Sequence, residues 1–151
     1  MLYNSVDMIV DSREKTIALG EKLGRLLDIG STVVLKGELA SGKTTFAKGI
    51  GKALNIPQVI NSPTFTILKI YHGDKTLYHI DAYRLENNSY DLGFDEYDDG
   101  IKVIEWPEYY MSYLPKEYVE VIFEYIDEQR RDISFIAHGD RYNSIVEEMK
   151  C

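Results

Sequence analysis

Apolar positions along the chain change their spacing several times, and each change marks an element. From Ile17 through Leu19, Leu23, Leu26 and Leu27 they recur at helical spacing, and Asp28-Ile29-Gly30 ends the run. A helix is therefore predicted there, with Asp11 and Glu14 at capping-box spacing and Ser12 as the rival cap. Thr32-Val33-Val34-Leu35 is a short β-branched run suited to a strand buried on both faces of a parallel sheet. Phe46, Ile50 and Leu54 then return every four residues, which predicts a helix of about three turns closed by Asn55-Ile56-Pro57. A polar bend at Asn61-Ser62-Pro63 leads into an extended apolar run ending at Tyr71. His72-Gly73-Asp74-Lys75 reads as a turn into the strand Thr76 to Ile80, with Asp81 at its end. Leu92, Phe94 and Tyr97 suggest a short helix inside a long polar loop, and Ile101 to Ile104 forms another strand. Val119, Val121, Phe123 and Tyr125 alternate and are answered by Ile133, Phe135 and Ala137, an antiparallel hairpin. A short helix carrying Ile145, Val146 and Met149 closes the pattern.

Strands and helices in this order predict an α/β fold: a central parallel sheet extended by antiparallel strands, with helices on both faces. The 151 residues are the size of one domain, so 1–151 is expected to form a single unit able to bury a core. No apolar run is long enough to span a bilayer, and Met1 to Ser5 lacks the basic and apolar regions of a signal peptide. Cys151 is the only cysteine, which excludes an intrachain disulfide or clustered-cysteine metal site. A soluble protein of the cytoplasm, with no membrane association, is expected.

Charge changes the picture in one respect. The net value of −8 argues against a broad nucleic-acid surface, but residues 1–80 carry about +3 and 81–151 about −11. Asp91, Asp95, Glu96, Asp98 and Asp99 place five carboxylates within nine residues, a density offset by water, by a cation or by a basic partner. A plain solvated loop is the simplest reading of that run.

The chemistry concentrates between the first predicted strand and the second predicted helix. Gly37-Glu38-Leu39-Ala40-Ser41-Gly42-Lys43-Thr44-Thr45 matches Gly-x4-Gly-Lys-[Ser/Thr], with a strand before it and a helix after. Backbone N–H groups of such a loop and of the helix N-terminus converge on one concavity that holds a polyphosphate. Gly37 and Gly42 permit the backbone path, Lys43 supplies a point charge for the β- and γ-phosphates, and the Thr44 hydroxyl is suited to Mg2+. Thr45 would support the α-phosphate. A chance glycine-rich turn would not explain the adjacent lysine and hydroxyls. Asp81, just past a short strand downstream of this loop, stands where P-loop proteins keep a carboxylate for Mg2+ and its waters, although a strand-ending Asp is elsewhere usually a turn residue. If the strands are parallel, Ile101 to Ile104 delivers Glu105 and Trp106 to the same edge. Trp106, the only tryptophan, reads equally as a core or lid aromatic and as a contact for nucleotide or partner. His72, His79 and His138 are not spaced as metal ligands and read as structural or exposed.

Together GELASGKTT at 37–45, SPTF at 62–65, HIDAYRL at 79–85 and IEWPE at 104–108 give a combination far more specific than the loop alone. In these motifs the chain resembles the TsaE (YjeE) family, small bacterial P-loop ATPases required to make threonylcarbamoyladenosine next to the tRNA anticodon. The likeness runs from about Ser12 to the final helix, with one departure at Ala40, where the family commonly has glycine. The resemblance implies ATP as ligand, with ADP as product, Mg2+ held by Thr44, Asp81 and Glu105, and a catalytic set of Glu105, Thr64 and Asp81. In it Thr64 is a switch-type residue near the γ-phosphate. It also implies TsaD and TsaB as partners, with tRNA engaged only through the complex, and an ATPase that resets it. A small-molecule kinase is the rival; it would want an arginine-rich lid, and only Arg130 and Arg131 cluster. No Asn/Thr-Lys-x-Asp motif supports a GTPase, and a module that binds ATP without turnover is the third reading.

Overall fold

The computed structural model describes residues 5–38, 41–61, 68–82, 97–106 and 114–150. Its β-branched and aromatic runs form strands β1 (Ser5–Val10), β2 (Thr32–Lys36), β3 (Leu68–His72), β4 (Thr76–Asp81), β5 (Ile101–Glu105), β6 (Tyr118–Tyr125) and β7 (Arg131–His138). The helical spacings become α1 (Arg13–Leu26), α2 (Lys43–Ala53) and α3 (Asn143–Glu148). One sheet joins the strands in the order β1-β7-β6-β2-β5-β4-β3. Its centre, β6-β2-β5-β4, is parallel, and β3 at one side and β7 and β1 at the other pair antiparallel. The expected parallel centre with antiparallel extensions is what forms.

Period-two alternation gives the sheet two different faces. Val33, Leu35, Leu77, Val103, Val121 and Phe135 point to the face covered by Leu23, Leu27, Phe46, Ile50 and Val146 of the helical side. Among the described residues all three helices contribute to that one core. Val34, Tyr78, Ile80 and Ile104 form a second cluster on the opposite face, against which Tyr97, Trp106, Leu114 and Tyr118 pack. The helical cover expected for that face is not among the described residues, and of the predicted Leu92–Tyr97 helix only Tyr97 is described, its ring stacked 4.7 Å from that of Tyr78. A long tie joins the end of the chain to the central strand: the Thr32 N–H donates to the Tyr142 hydroxyl at 3.0 Å, in a buried position.

The structure adds local detail at three points. Ser12, not Asp11, caps α1, because its hydroxyl accepts from the Lys15 N–H at 3.1 Å while Asp11 pairs with the Lys15 side chain. Strand β1 had not been anticipated, although Val6, Met8 and Val10 alternate, and Val6 and Val10 are buried. The predicted stripe of α1 packs on the core through buried Leu23 and Leu27 and partly buried Leu19 and Leu26, and small residues widen it: Thr16, Gly20 and Gly24 are buried as well. Its glycines let α1 press onto α2: a Cβ on Gly20 would lie 2.1 Å from the Phe46 carbonyl oxygen, and one on Gly49 would lie 2.1 Å from the Ile17 carbonyl oxygen.

Where β2, β6 and β7 run side by side, Glu120 bridges Lys36 Nζ at 2.8 Å and His138 Nε2 at 2.7 Å. Burial alone would raise the Glu120 carboxyl, but hydrogen bonds from Lys36 and His138 outweigh it and hold the pKa below its ordinary 4.5. A lowered carboxylate pKa adds stability above the unfolded-state value, and that stability is lost as pH falls through the folded one. Glu120→Gln should therefore cost about 1.5–3 kcal/mol near neutral pH, the worth of hydrogen bonds to a charged group, with the gap to the parent closing in acid. Urea unfolding of both proteins at a series of pH values checks this; a gap that persists below the carboxylate range would assign the loss to packing.

Candidate functional site

Leaving β2, the chain turns at Gly37 and enters α2 through Gly42, whose φ of 109° lies in the left-handed region where a side chain is strained. Gly37 is required by close approach: a Cβ there would stand 2.6 Å from Ser41 Oγ and 2.9 Å from the Phe123 carbonyl oxygen. No side chain caps α2, so its first N–H groups open onto the concavity above β2. Ser41 Oγ is buried there without a hydrogen-bond partner. Lys43 is buried, its Nζ donating to the Gly37 carbonyl at 2.7 Å and lying 3.7 Å from the centre of the Trp106 ring. An ammonium held over an indole face and beside uncapped helix N–H groups makes this concavity favourable to an anion. Thr44 and Thr45 follow in the first turn of α2, both partly exposed.

Across the sheet end, Asp81 of β4 and Glu105 of β5 are directly paired in the parallel register. Alternation from Leu77 and Val103 puts both on the helix-covered face, the same side as α2. Glu105 is only 3% exposed, and its Oε2 lies 2.6 Å from Nε2 of His79, which is fully buried. That contact was missed by the sequence reading, although a residue two places before a strand-ending Asp must share its face. Trp106 follows at once with φ of 59°, a left-handed conformation that costs a bulky residue of order 1–3 kcal/mol and here aims the indole at Lys43. Gly37, Glu38, Ser41, Trp106, Phe123 and Tyr125 border a cleft of about 600 Å³ beside the loop.

The structure thus brings Gly37, Glu38, Ser41, Gly42, Lys43, Thr44, Thr45, Asp81, Glu105 and Trp106 to one end of the sheet. Leu39, Ala40 and Thr64 with the rest of SPTF lie outside the described residues. Of the acidic run, Asp91, Asp95 and Glu96 also lie outside them. The remaining two turn back to the sheet: Asp98 pairs with Lys102 Nζ at 2.7 Å, and Asp99 accepts from the Tyr78 hydroxyl at 2.5 Å, which pushes the phenol up to about 12. Those two carboxylates are accounted for without a partner. Mg2+ is ordinarily held by one or two carboxylates together with phosphate oxygens and water, and the Asp81–Glu105 pair, at the sheet end where β2 leads into the loop, fits that demand. Among the described residues no three His, Cys, Asp or Glu side chains gather as an all-protein metal cage. No described helix is long and apolar enough to cross a membrane.

A family model described as threonylcarbamoyl adenosine biosynthesis protein TsaE matches residues 10–133. A relative from Bacillus subtilis, named tRNA threonylcarbamoyladenosine biosynthesis protein TsaE, is 40% identical over 139 residues, covering 90% of this chain and 88% of its own. One of the same name from Treponema pallidum is 45% identical over 127 residues, covering 82% of this chain and 94% of its own. The crystal structure of Bacillus subtilis YdiB superposes with a TM-score of 0.87 at 31% identity, covering 99% of this chain and 97% of that one. The architecture is accordingly the P-loop NTPase-like α/β fold expected from the loop motif together with the order of elements.

Proposed function

The chain belongs to the TsaE family and to the biosynthesis of threonylcarbamoyladenosine in tRNA, and on that premise we propose that it is the Mg2+-dependent ATPase subunit of that pathway, working with TsaD and TsaB. One observation carries the reading: a buried lysine at an uncapped helix N-terminus stands at the same end of the parallel strands as a pair of carboxylates, its ammonium over the Trp106 ring next to Glu105. ATP would enter with its phosphates against the first turn of α2. Lys43 Nζ would exchange the Gly37 carbonyl and the indole face for β- and γ-phosphate oxygens. Thr44, Asp81 and Glu105 would hold Mg2+, which when bound neutralises charge developing on the transferred phosphoryl group. Glu105 and Asp81 would orient the attacking water, and Thr64 would respond to the γ-phosphate. Loss of that phosphate would release the Ser62–Phe65 loop, the ordering change by which nucleotide switches signal to partners. Partner binding and hydrolysis would then be linked, with tRNA reached through the complex and the work done in the cytoplasm.

ATP hydrolysis by the protein alone, then with a TsaD and TsaB pair added, tests this. Slow turnover that rises with the pair is expected. Glu105→Ala should keep nucleotide affinity measured without Mg2+, while turnover at saturating ATP falls on the order of 10²-fold, the usual worth of a group that manages water and proton in the transition state. No turnover under either condition would leave a silent binder, and full activity of the variant would take Glu105 out of the chemistry.

A further inference from the structure

A glutamate carboxyl turns about a broad terminal torsion, so the plane of the Glu105 carboxylate is set by what touches it rather than by β5. His79 touches it. The imidazole comes from β4, two pairs below the Asp81–Glu105 level in the register, and reaches diagonally along the shared face to Oε2 at 2.6 Å. Both side chains are shut away from water, His79 entirely. The other ring nitrogen, Nδ1, is buried with no hydrogen-bond partner. That asymmetry fixes the tautomer. With its proton on Nε2 the ring donates to Oε2 and leaves Nδ1 a bare acceptor; with the proton on Nδ1 it would bury an unmatched donor and oppose two lone-pair atoms, the costlier arrangement.

We infer that His79 is a positioning residue for Glu105: its Nε2–H fixes the carboxylate in the plane from which Glu105 meets Mg2+ and water. The inference rests on the proposed function and extends it inward by one residue. Its physical basis is that both groups stand on rigid adjacent strands, where a hydrogen bond between buried groups holds a site more closely than a loop can. A partner of this kind typically changes metal affinity about 10–100-fold when lost. A purely structural pair would instead show itself in stability alone.

The measurement that separates the two is the ratio of ADP affinities with and without Mg2+, read by titration calorimetry. His79→Phe, which fills the space but cannot donate, should lose about tenfold or more of the Mg2+ enhancement while affinity in EDTA stays within about twofold of the parent. His79→Gln, which restores an N–H, should recover most of it, and in a Glu105→Ala background His79→Phe should add nothing. A folded His79→Phe protein with the parent's enhancement overturns the inference, whatever its melting temperature. A parent that binds no nucleotide removes the proposed function and this inference with it; only the first result leaves the proposed function standing. Should His79→Phe not fold, the native chain decides. With 15N-histidine, a slowly exchanging Nε2–H resonance should shift on adding ADP with Mg2+ but not ADP in EDTA, and a resonance that ignores Mg2+ overturns the inference.

Discussion

Lys43→Ala is expected to weaken ATP binding roughly 10²–10⁴-fold, from the loss of charge-assisted hydrogen bonds worth about 1.5–3 kcal/mol apiece to two phosphates. The size follows from where the ammonium sits. It is buried at the mouth of α2, held by the Gly37 carbonyl and the Trp106 ring, and no other lysine or arginine belongs to the loop from Gly37 to Thr45. Folding should survive, because removing a buried charge relieves its desolvation as well as deleting its bonds. Calorimetric titration with ATP, beside a urea unfolding curve, separates these effects. An affinity near the parent's in a folded variant would end the phosphate-binding reading of the loop.

Gly49→Ala carries the second large effect, and its sign is the informative part. In an exposed helix this substitution stabilises by about 1 kcal/mol, since alanine has less backbone freedom to lose. Here the new methyl would meet the Ile17 carbonyl oxygen at 2.1 Å, the Glu21 nitrogen at 2.8 Å and Gly20 Cα at 2.9 Å. All three are backbone atoms and cannot rotate away, so α1 and α2 must separate. A loss of about 3 kcal/mol, at the upper end for overpacking, is expected in urea unfolding. Nucleotide affinity should fall as well, because α2 is the helix whose N-terminus closes the loop. A variant more stable than the parent would contradict the close packing of the two helices.

Much of this architecture could be read before any coordinates. The spacing of Phe46, Ile50 and Leu54 locates α2, and the alternation of Val119, Val121 and Phe123 against Ile133 and Phe135 locates the β6–β7 hairpin, because each depends on neighbours in sequence. The loop at Gly37–Thr45 was legible for the same reason: its chemistry is contiguous. What stayed hidden depends on distance along the chain. β6 lies parallel beside β2, and β1 joins β7, across separations that no local pattern encodes. Gly20 and Gly49 read locally as weak helix formers, while their role is set by the partner helix. His79 reads as a structural histidine until β4 and β5 are placed side by side, when it becomes the neighbour of Glu105.

The position of β2 has a consequence for how the protein comes into being. The strand that carries the loop is flanked by β5 and β6, both made later by the ribosome, and its first residue is tied to Tyr142 near the other end of the chain. Synthesis therefore delivers Gly37–Thr45 long before the strands that hold it. Until β6 and β7 emerge, β2 has an open side, and the Thr32 N–H lacks its hydroxyl. Such long separations favour late, cooperative closure over stepwise growth from the N-terminus. A nascent chain halted after β5 would carry every residue of the loop, Asp81 and Glu105, and still lack the wall formed by Phe123 and Tyr125.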